Sequence, residues 1–496
     1  PDPLRRCSSL EILSVTMMLT QRLLQSLSTR ASKPARPSKP LATSRSLQST
    51  RIAKSRPSAP LRSSNKIISR SNDHISSVRT YCTATEAETQ RTETIVEIPE
   101  SVLNAPRGID RIKLNINVGD TISGYVVGKK RWLQQRQMMV YELEHTKTGA
   151  KHLHVECNDT ENVFTTVLKT IPMNDTGVAH ILEHLALCGS EKYPVRDPFF
   201  NMLKRSLSTF MNAWTGPDYT GYPFSTVNVK DYYNLMSVYL DAVFFPKLDY
   251  LDFLQEGHRL EVDAETNKLQ HMGVVYNEMK GAMSEASDLF SYEMHRELYP
   301  TTTYHYNSGG DPKAIRDITH EDVLAFHKEF YHPSNSYTLT YGDLPLQPQL
   351  EFISANVLHR FDRIKPRSDV HDETRLKEPK RLTVKGPLSK LSDPEKQTKV
   401  AVSWLTNKIT SSYEIFSMSI LSFLLTDGPN SPFYKALISS NIGLTYAPGT
   451  GYDSRVRETS FTVGLSEILE SDVDKVENII YQTLDEMALT GFPQER

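Results

Sequence analysis

Residues 177–194 read GVAHILEHLALCGSEKYP. The run sets His180, Glu183 and His184 inside an otherwise apolar segment whose spacing predicts a helix, capped by Asp175 or Thr176 and ended by Gly189. Side chains four apart on an α-helix lie on one face. His180 and His184 therefore project together, with Glu183 on the same side. Two readings compete. Either these are core residues satisfied by local hydrogen bonds, or the imidazoles hold a metal ion with a carboxylate beside it.

The order H-x-x-E-H is the inverted zincin signature. Zinc lowers the pKa of water to about 7. A neighbouring carboxylate, here Glu183, can take the proton and deliver it to a leaving amine. Such a zinc needs a third protein ligand. Glu278, in VVYNEMKGAM, follows an apolar run and should sit on an inward-facing turn. Glu285, seven residues on, is its rival, and spacing alone leaves both open. His152 and His154 would point the same way on a strand; a half-exposed pair is expected there, with metal binding the weaker reading. His258, His271 and His295 lack ligand-like companions. No Gly-rich phosphate loop and no G-x-S-x-G occurs, which argues against nucleotide and serine-hydrolase chemistry.

Around this motif the pattern is α+β, a layered sandwich with a mainly antiparallel sheet. Strand patterns fill 119–159 and 162–170, and two strands flank a turn at Gly216–Pro217–Asp218. Helical patterns occupy 230–246, 273–298 and 321–331, and a strand follows at 335–343. Residues 362–397 are charged, Pro-containing and poor in large apolar residues, which reads as a linker. Strand and helix patterns then restart. The expected organisation is 1–90 as a targeting and disordered segment, 91–361 as the domain bearing the motif, 362–397 as linker, and 398–496 as a second related domain that looks truncated.

The net charge of −2 hides an asymmetry. Residues 1–79 carry 15 Lys/Arg against 3 Asp/Glu, a net +12, which leaves −14 for the rest. The acidic body gives no reason to expect nucleic acid as a partner. No apolar run reaches the length of a membrane span. Between Glu11 and Asp73 there are twelve basic residues and no acidic one. Such a tract cannot bury enough apolar surface to offset its ordering entropy. It opens on MMLTQRLLQSLSTR, with Leu19, Leu23 and Leu27 on one face, the pattern of an organellar transit peptide. The sequence starts at Pro1, so initiation at Met17 or Met18 is expected. The four cysteines, Cys7, Cys82, Cys157 and Cys188, have no C-x-x-C spacing and read as free thiols.

The stretch NDTGVAHILEHLALCGSEKYPVRDPFFNMLKRSLSTFMNAWTGPDYTGYPFST, with VVYNEMKGAM about ninety residues later, closely resembles the organellar branch of the pitrilysin/insulinase zinc metallopeptidase family, N-terminal half only. The resemblance runs from about residue 95 to the end. It implies zinc, one ion per chain, on His180, His184 and Glu278, with Glu183 as general base. It makes Asn212 and Ala213 part of an edge strand that pairs with extended peptide. Phe199 and Phe200 become candidates for an apolar pocket, with a core role the competing reading. It implies an endopeptidase that degrades cleaved targeting presequences and other short unstructured peptides in the mitochondrial matrix, with chloroplast or dual targeting as the alternative address. Members of the family are about twice this length and close a chamber around the peptide, the full-length form being monomeric. Weak or no activity is therefore expected of the 496-residue chain alone. The competing reading is a non-catalytic scaffold on the same fold.

Overall fold

The computed structural model describes residues 116–494. The targeting segment expected at 1–90 lies outside them. A first sheet carries the large core. Its strands are β1 (Thr121–Ile122), β2 (Tyr125–Leu133), β3 (Met138–His145), β4 (Lys151–Glu156), β5 (Asn162–Lys169), β6 (Ser208–Met211), β7 (Trp214–Thr215), β8 (Tyr219–Thr226) and, after a two-stranded hairpin of β9 (Arg259–Val262) and β10 (Leu269–Met272), β11 (Ser336–Gly342). The order is β1-β2-β3-β4-β11-β5-β8-β6, with β7 also on β8. Every pairing is antiparallel except β11 with β4. The architecture is α+β and mainly antiparallel.

Helices α1 (Val178–Ala186), α2 (Pro198–Arg205), α3 (Val229–Phe244), α4 (Tyr250–Glu256), α5 (Val274–Ala282), α6 (Ala286–Leu298), α7 (His320–Phe330) and α8 (Leu346–Asn356) accompany this sheet. α3 has the strongest local rationale. Asn228 caps it by accepting from the Asp231 N–H at 3.0 Å, and Pro246 stands just past its end. Its Tyr232, Leu235, Met236, Tyr239, Leu240 and Val243 are all buried. They recur at helical spacing and pack into the core with Phe164 and Phe224 of the sheet.

Three sequence expectations are corrected. The helical pattern over 273–298 is two helices, α5 and α6, broken at Met283–Glu285. The stretch 208–228 is three strands, because β6 and β7 are separated at Asn212–Ala213. His152 and His154 are buried, not half-exposed: β4 lies inside the sheet between β3 and β11. Both rings bond the Thr340 hydroxyl, at 2.9 and 2.8 Å.

Residues 362–397 contain no helix or strand. Beyond them a second sheet runs β12 (Thr398–Lys408), β15 (Glu458–Ile468), β13 (Thr445–Tyr446), with β14 (Gly451–Asp453) also on β15. Helices α9 (Ser412–Thr426) and α10 (Val473–Thr490) and a π-helical turn at Tyr434–Ile438 accompany it. Its core is separate, built on Phe433, Leu437, Val463, Leu465, Val476 and Ile480. The connecting segment is tied down at Glu373, which accepts from the hydroxyls of Thr301 and Thr302 at 2.5 and 3.0 Å. The Tyr299 hydroxyl donates to the Glu458 carbonyl at 2.8 Å. No helix among the described residues is long and apolar enough to cross a membrane.

Candidate metal centre

Helix α1 is buried almost all round. Ala179, Ile181, Leu182, Leu185 and Ala186 are fully inaccessible. Neither Asp175 nor Thr176 caps it, and it ends at Ala186, before Gly189. The N-cap is Gly177 at φ 70°, without a side-chain cap. A Cβ there would stand 2.8 Å from the Gly309 carbonyl oxygen. The left-handed backbone and the close approach both demand glycine.

His180 Nδ1 lies 3.0 Å from the Gly309 oxygen. A carbonyl only accepts, so Nδ1 carries the proton and Nε2 keeps its lone pair. His184 Nδ1 lies 3.0 Å from Glu256 Oε2, at the end of α4, with the same consequence. The two Nε2 atoms turn toward Glu278 Oε2, at 3.8 and 3.9 Å. Among the described residues these three form one group of possible ligands, with the donor atoms within 4.8 Å of one another. Ligands each about 2.0–2.2 Å from a shared zinc stand roughly 3–4 Å apart, so the set fits that ion. Imidazoles whose other nitrogen is held by a carboxylate or carbonyl are the usual form of such ligands.

Glu278 sits on the second turn of α5, behind the buried Val275 and Tyr276. The expected inward turn is met only in direction: its side chain is 55% exposed, yet its oxygen faces both imidazoles. Glu285 lies in the helix break, as the N-cap of α6, and is not in the group.

Glu183 is buried, and its Oε2 accepts a hydrogen bond from Thr215 Oγ1 in β7 at 2.5 Å. Burial pushes its carboxyl above the ordinary range, against the Thr215 hydroxyl and the nearby His184 charge. Burial also lowers His180, helped by His184. For His184 burial is outweighed by the Glu256 hydrogen bond and neighbouring carboxylates, and the ring is raised. Glu256 is lowered: burial opposes, but hydrogen bonds from His184 and Gln255 prevail.

Asn212 and Ala213 fall in the break between β6 and β7, at the sheet edge. The Asn212 N–H donates to the Pro223 carbonyl at 3.1 Å, and its carbonyl accepts from the Tyr239 hydroxyl at 3.3 Å. Its main chain is thus engaged inward. Phe199 is buried against Tyr239, whereas Phe200 is 58% exposed.

The sequence model described as "Insulinase (Peptidase family M16)" matches residues 172–289, and that described as "Peptidase M16 inactive domain" matches residues 317–496. The chain belongs to peptidase family M16. This M16 chain is 48% identical to the mitochondrial presequence protease of Xenopus laevis over 387 residues, 77% of the chain and 38% of that protein. It is 45% identical to the mitochondrial presequence protease of Mus musculus over 387 residues, 77% of the chain and 37% of that protein. The chain therefore spans less than two-fifths of the length of these curated relatives. Crystalline pitrilysin superposes with a TM-score of 0.54 at 16% identity, over 75% of this chain and 38% of that one. That likeness shows the fold, which is pitrilysin-like.

Three residues of the centre went unseen in the sequence: Glu256, Thr215 and Gly309. Glu256 stands 72 positions from His184, and Gly309 stands 129 from His180. No local spacing marks them. The Gly309–Gly310 pair was the one visible signal, a place where backbone could approach closely.

Proposed function

We propose that this M16 chain carries the zinc centre of a metalloendopeptidase that cuts short unfolded peptides, cleaved targeting presequences among them, in the mitochondrial matrix. The observation that carries the reading is the convergence of the two Nε2 atoms and the Glu278 oxygen, with buried Glu183 on the same helix. The donor set of two imidazoles and one carboxylate matches that of known zinc peptidases.

A zinc ion held by these residues would acidify a water molecule and polarise a peptide carbonyl. The residues of the chain do the rest. His180, His184 and Glu278 are the ligands. Glu183 takes a proton from the attacking water and hands it to the leaving amine; its raised pKa suits both halves of that task. Thr215 orients the Glu183 carboxylate. The edge at β6–β7 receives the extended peptide through main-chain hydrogen bonds, which tolerate many sequences. Since Asn212 is engaged inward, alternation along an edge strand assigns the outward-facing main chain to Ala213. Phe200 offers an exposed aromatic surface nearby in sequence, and Phe199 supports it from the core.

The organising units of this reading are residues 91–361 for the zinc centre, 362–397 for the connection and 398–496 for the second unit. The names of the relatives and the acid-free basic tract between Glu11 and Asp73 support the mitochondrial address. Substrates are peptides, and the working form is a monomer of the whole protein.

The test is metal content followed by hydrolysis of an unstructured fluorogenic peptide. One zinc per chain, retained in Glu183→Gln while hydrolysis disappears, supports the peptidase. A chain that takes up no zinc is a scaffold on the same fold.

A further inference from the structure

Asp175 leaves the end of α1 uncapped and instead holds a loop. Its Oδ1 accepts from the Asn307 N–H at 2.8 Å and from the Tyr292 hydroxyl at 3.0 Å. Its own carbonyl accepts from the Asp311 N–H at 2.8 Å. Both ends of the stretch 307–311 are thus tied to one residue. Arg296 stands 3.7 Å from the same carboxylate, which is only 17% exposed. Inside the loop, Asn307 Oδ1 accepts from the Gly309 N–H at 3.0 Å, and the Asn307 carbonyl accepts from the Gly310 N–H at 2.9 Å.

The loop touches both helices that bear the proposed ligands. On the α1 side, the Gly309 oxygen meets His180 Nδ1 at 3.0 Å. A Cβ on Gly310 would stand 3.0 Å from the Gly177 Cα. On the α5 side, a Cβ on Gly309 would stand 2.9 Å from Sδ of Met279, the residue after Glu278. The loop packs with bare backbone against α1, and on the α5 side with the end of the Met279 side chain. The height of the Gly309 carbonyl therefore depends on where Asp175 anchors the loop.

We propose that Asp175 is a positioning residue of the metal centre, acting through the 307–311 loop on the Gly309 carbonyl that fixes the His180 tautomer and on the spacing of α1 and α5. This rests on the zinc reading above. A carboxylate suits the task because it accepts from two donors and needs to give nothing back. Groups that orient a ligand in this way are worth about tenfold or more in metal affinity.

The test measures zinc affinity of the 496-residue chain by competition with a chromogenic chelator, and the visible spectrum of the cobalt-loaded chain. Asp175→Ala should weaken zinc about tenfold or more and shift the cobalt bands. Asp175→Asn keeps an oxygen for the Asn307 N–H and should recover most of that loss. Gly177→Ala presses on the same carbonyl from the helix side and should weaken zinc independently, so the test stands even where Asp175→Ala fails to fold. Zinc affinity and cobalt bands unchanged in folded variants overturn the proposal while leaving the zinc reading intact. An unsubstituted chain that binds no zinc overturns both.

Discussion

His184 Nδ1 and Glu256 Oε2 stand 3.0 Å apart, so a carboxylate from the end of α4 fixes the proton of an imidazole on α1. In the neutral ring the partnership puts the proton on Nδ1 and leaves the lone pair on Nε2. Removing Glu256 frees the ring to turn and to exchange tautomers. Glu256→Ala is expected to lower zinc affinity about 10- to 100-fold, measured by chelator competition. Affinity equal to that of the unsubstituted chain would show that the hydrogen bond does not orient the ligand.

Glu278 differs from the two histidines in being half-exposed. Its removal disturbs little packing. Glu278→Gln should leave thermal stability of the metal-free chain within about 0.5 kcal/mol, the range of ordinary surface changes, yet abolish stoichiometric zinc uptake. Atomic absorption after dialysis reads the second quantity and thermal unfolding the first. Retention of one zinc would remove Glu278 from the ligand set.

Thr215 stabilises the charged form of Glu183 through its hydroxyl. Thr215→Val takes that donor away and leaves burial unopposed on that side, so the carboxyl rises further. A base must be deprotonated to act. The acid limb of the pH–rate profile should therefore move to higher pH, with kcat reduced. Glu183→Gln, which has no base at all, should lose at least about a hundredfold in kcat at every pH. An acid limb that stays in place in Thr215→Val would deny the hydroxyl its role.

His154 is fully buried, and burial depresses its pKa to about 3 against a weaker opposing hydrogen bond with Thr340. His152 is depressed in the same direction by burial and by its neighbour. The folded state thus binds fewer protons than the unfolded state below an ordinary value of about 6.5. Stability from this source is complete above that pH and lost progressively as pH falls toward about 3. By pH 5 the stability lost through His154 alone amounts to about 2 kcal/mol. Urea unfolding at pH 5 and pH 7.5 should show a smaller pH difference in His154→Gln than in the unsubstituted chain. An identical difference would mean that His154 is protonated without penalty.

What sequence by itself determined is local. Helical spacing put His180, Glu183 and His184 on one face, and an apolar surround marked that helix as buried. Alternation and turn residues drew most strands, and helical spacing stopped by Pro246 drew α3. Each follows from backbone periodicity and capping over a few residues, so a short window contains all the information.

Tertiary structure decided the remainder. β11 is inserted between β4 and β5 and brings the Thr340 hydroxyl to His152 and His154, both buried where alternation alone would leave them half-exposed. The break at Met283–Glu285 separates Glu278 from Glu285 and leaves one of them facing the imidazoles. Glu256, Thr215 and Gly309 reach the centre from three further segments. The reason is physical: long-range approach is set by how elements bury their faces against one another, and no periodicity of the chain encodes which distant carbonyl or carboxylate will meet a given ring.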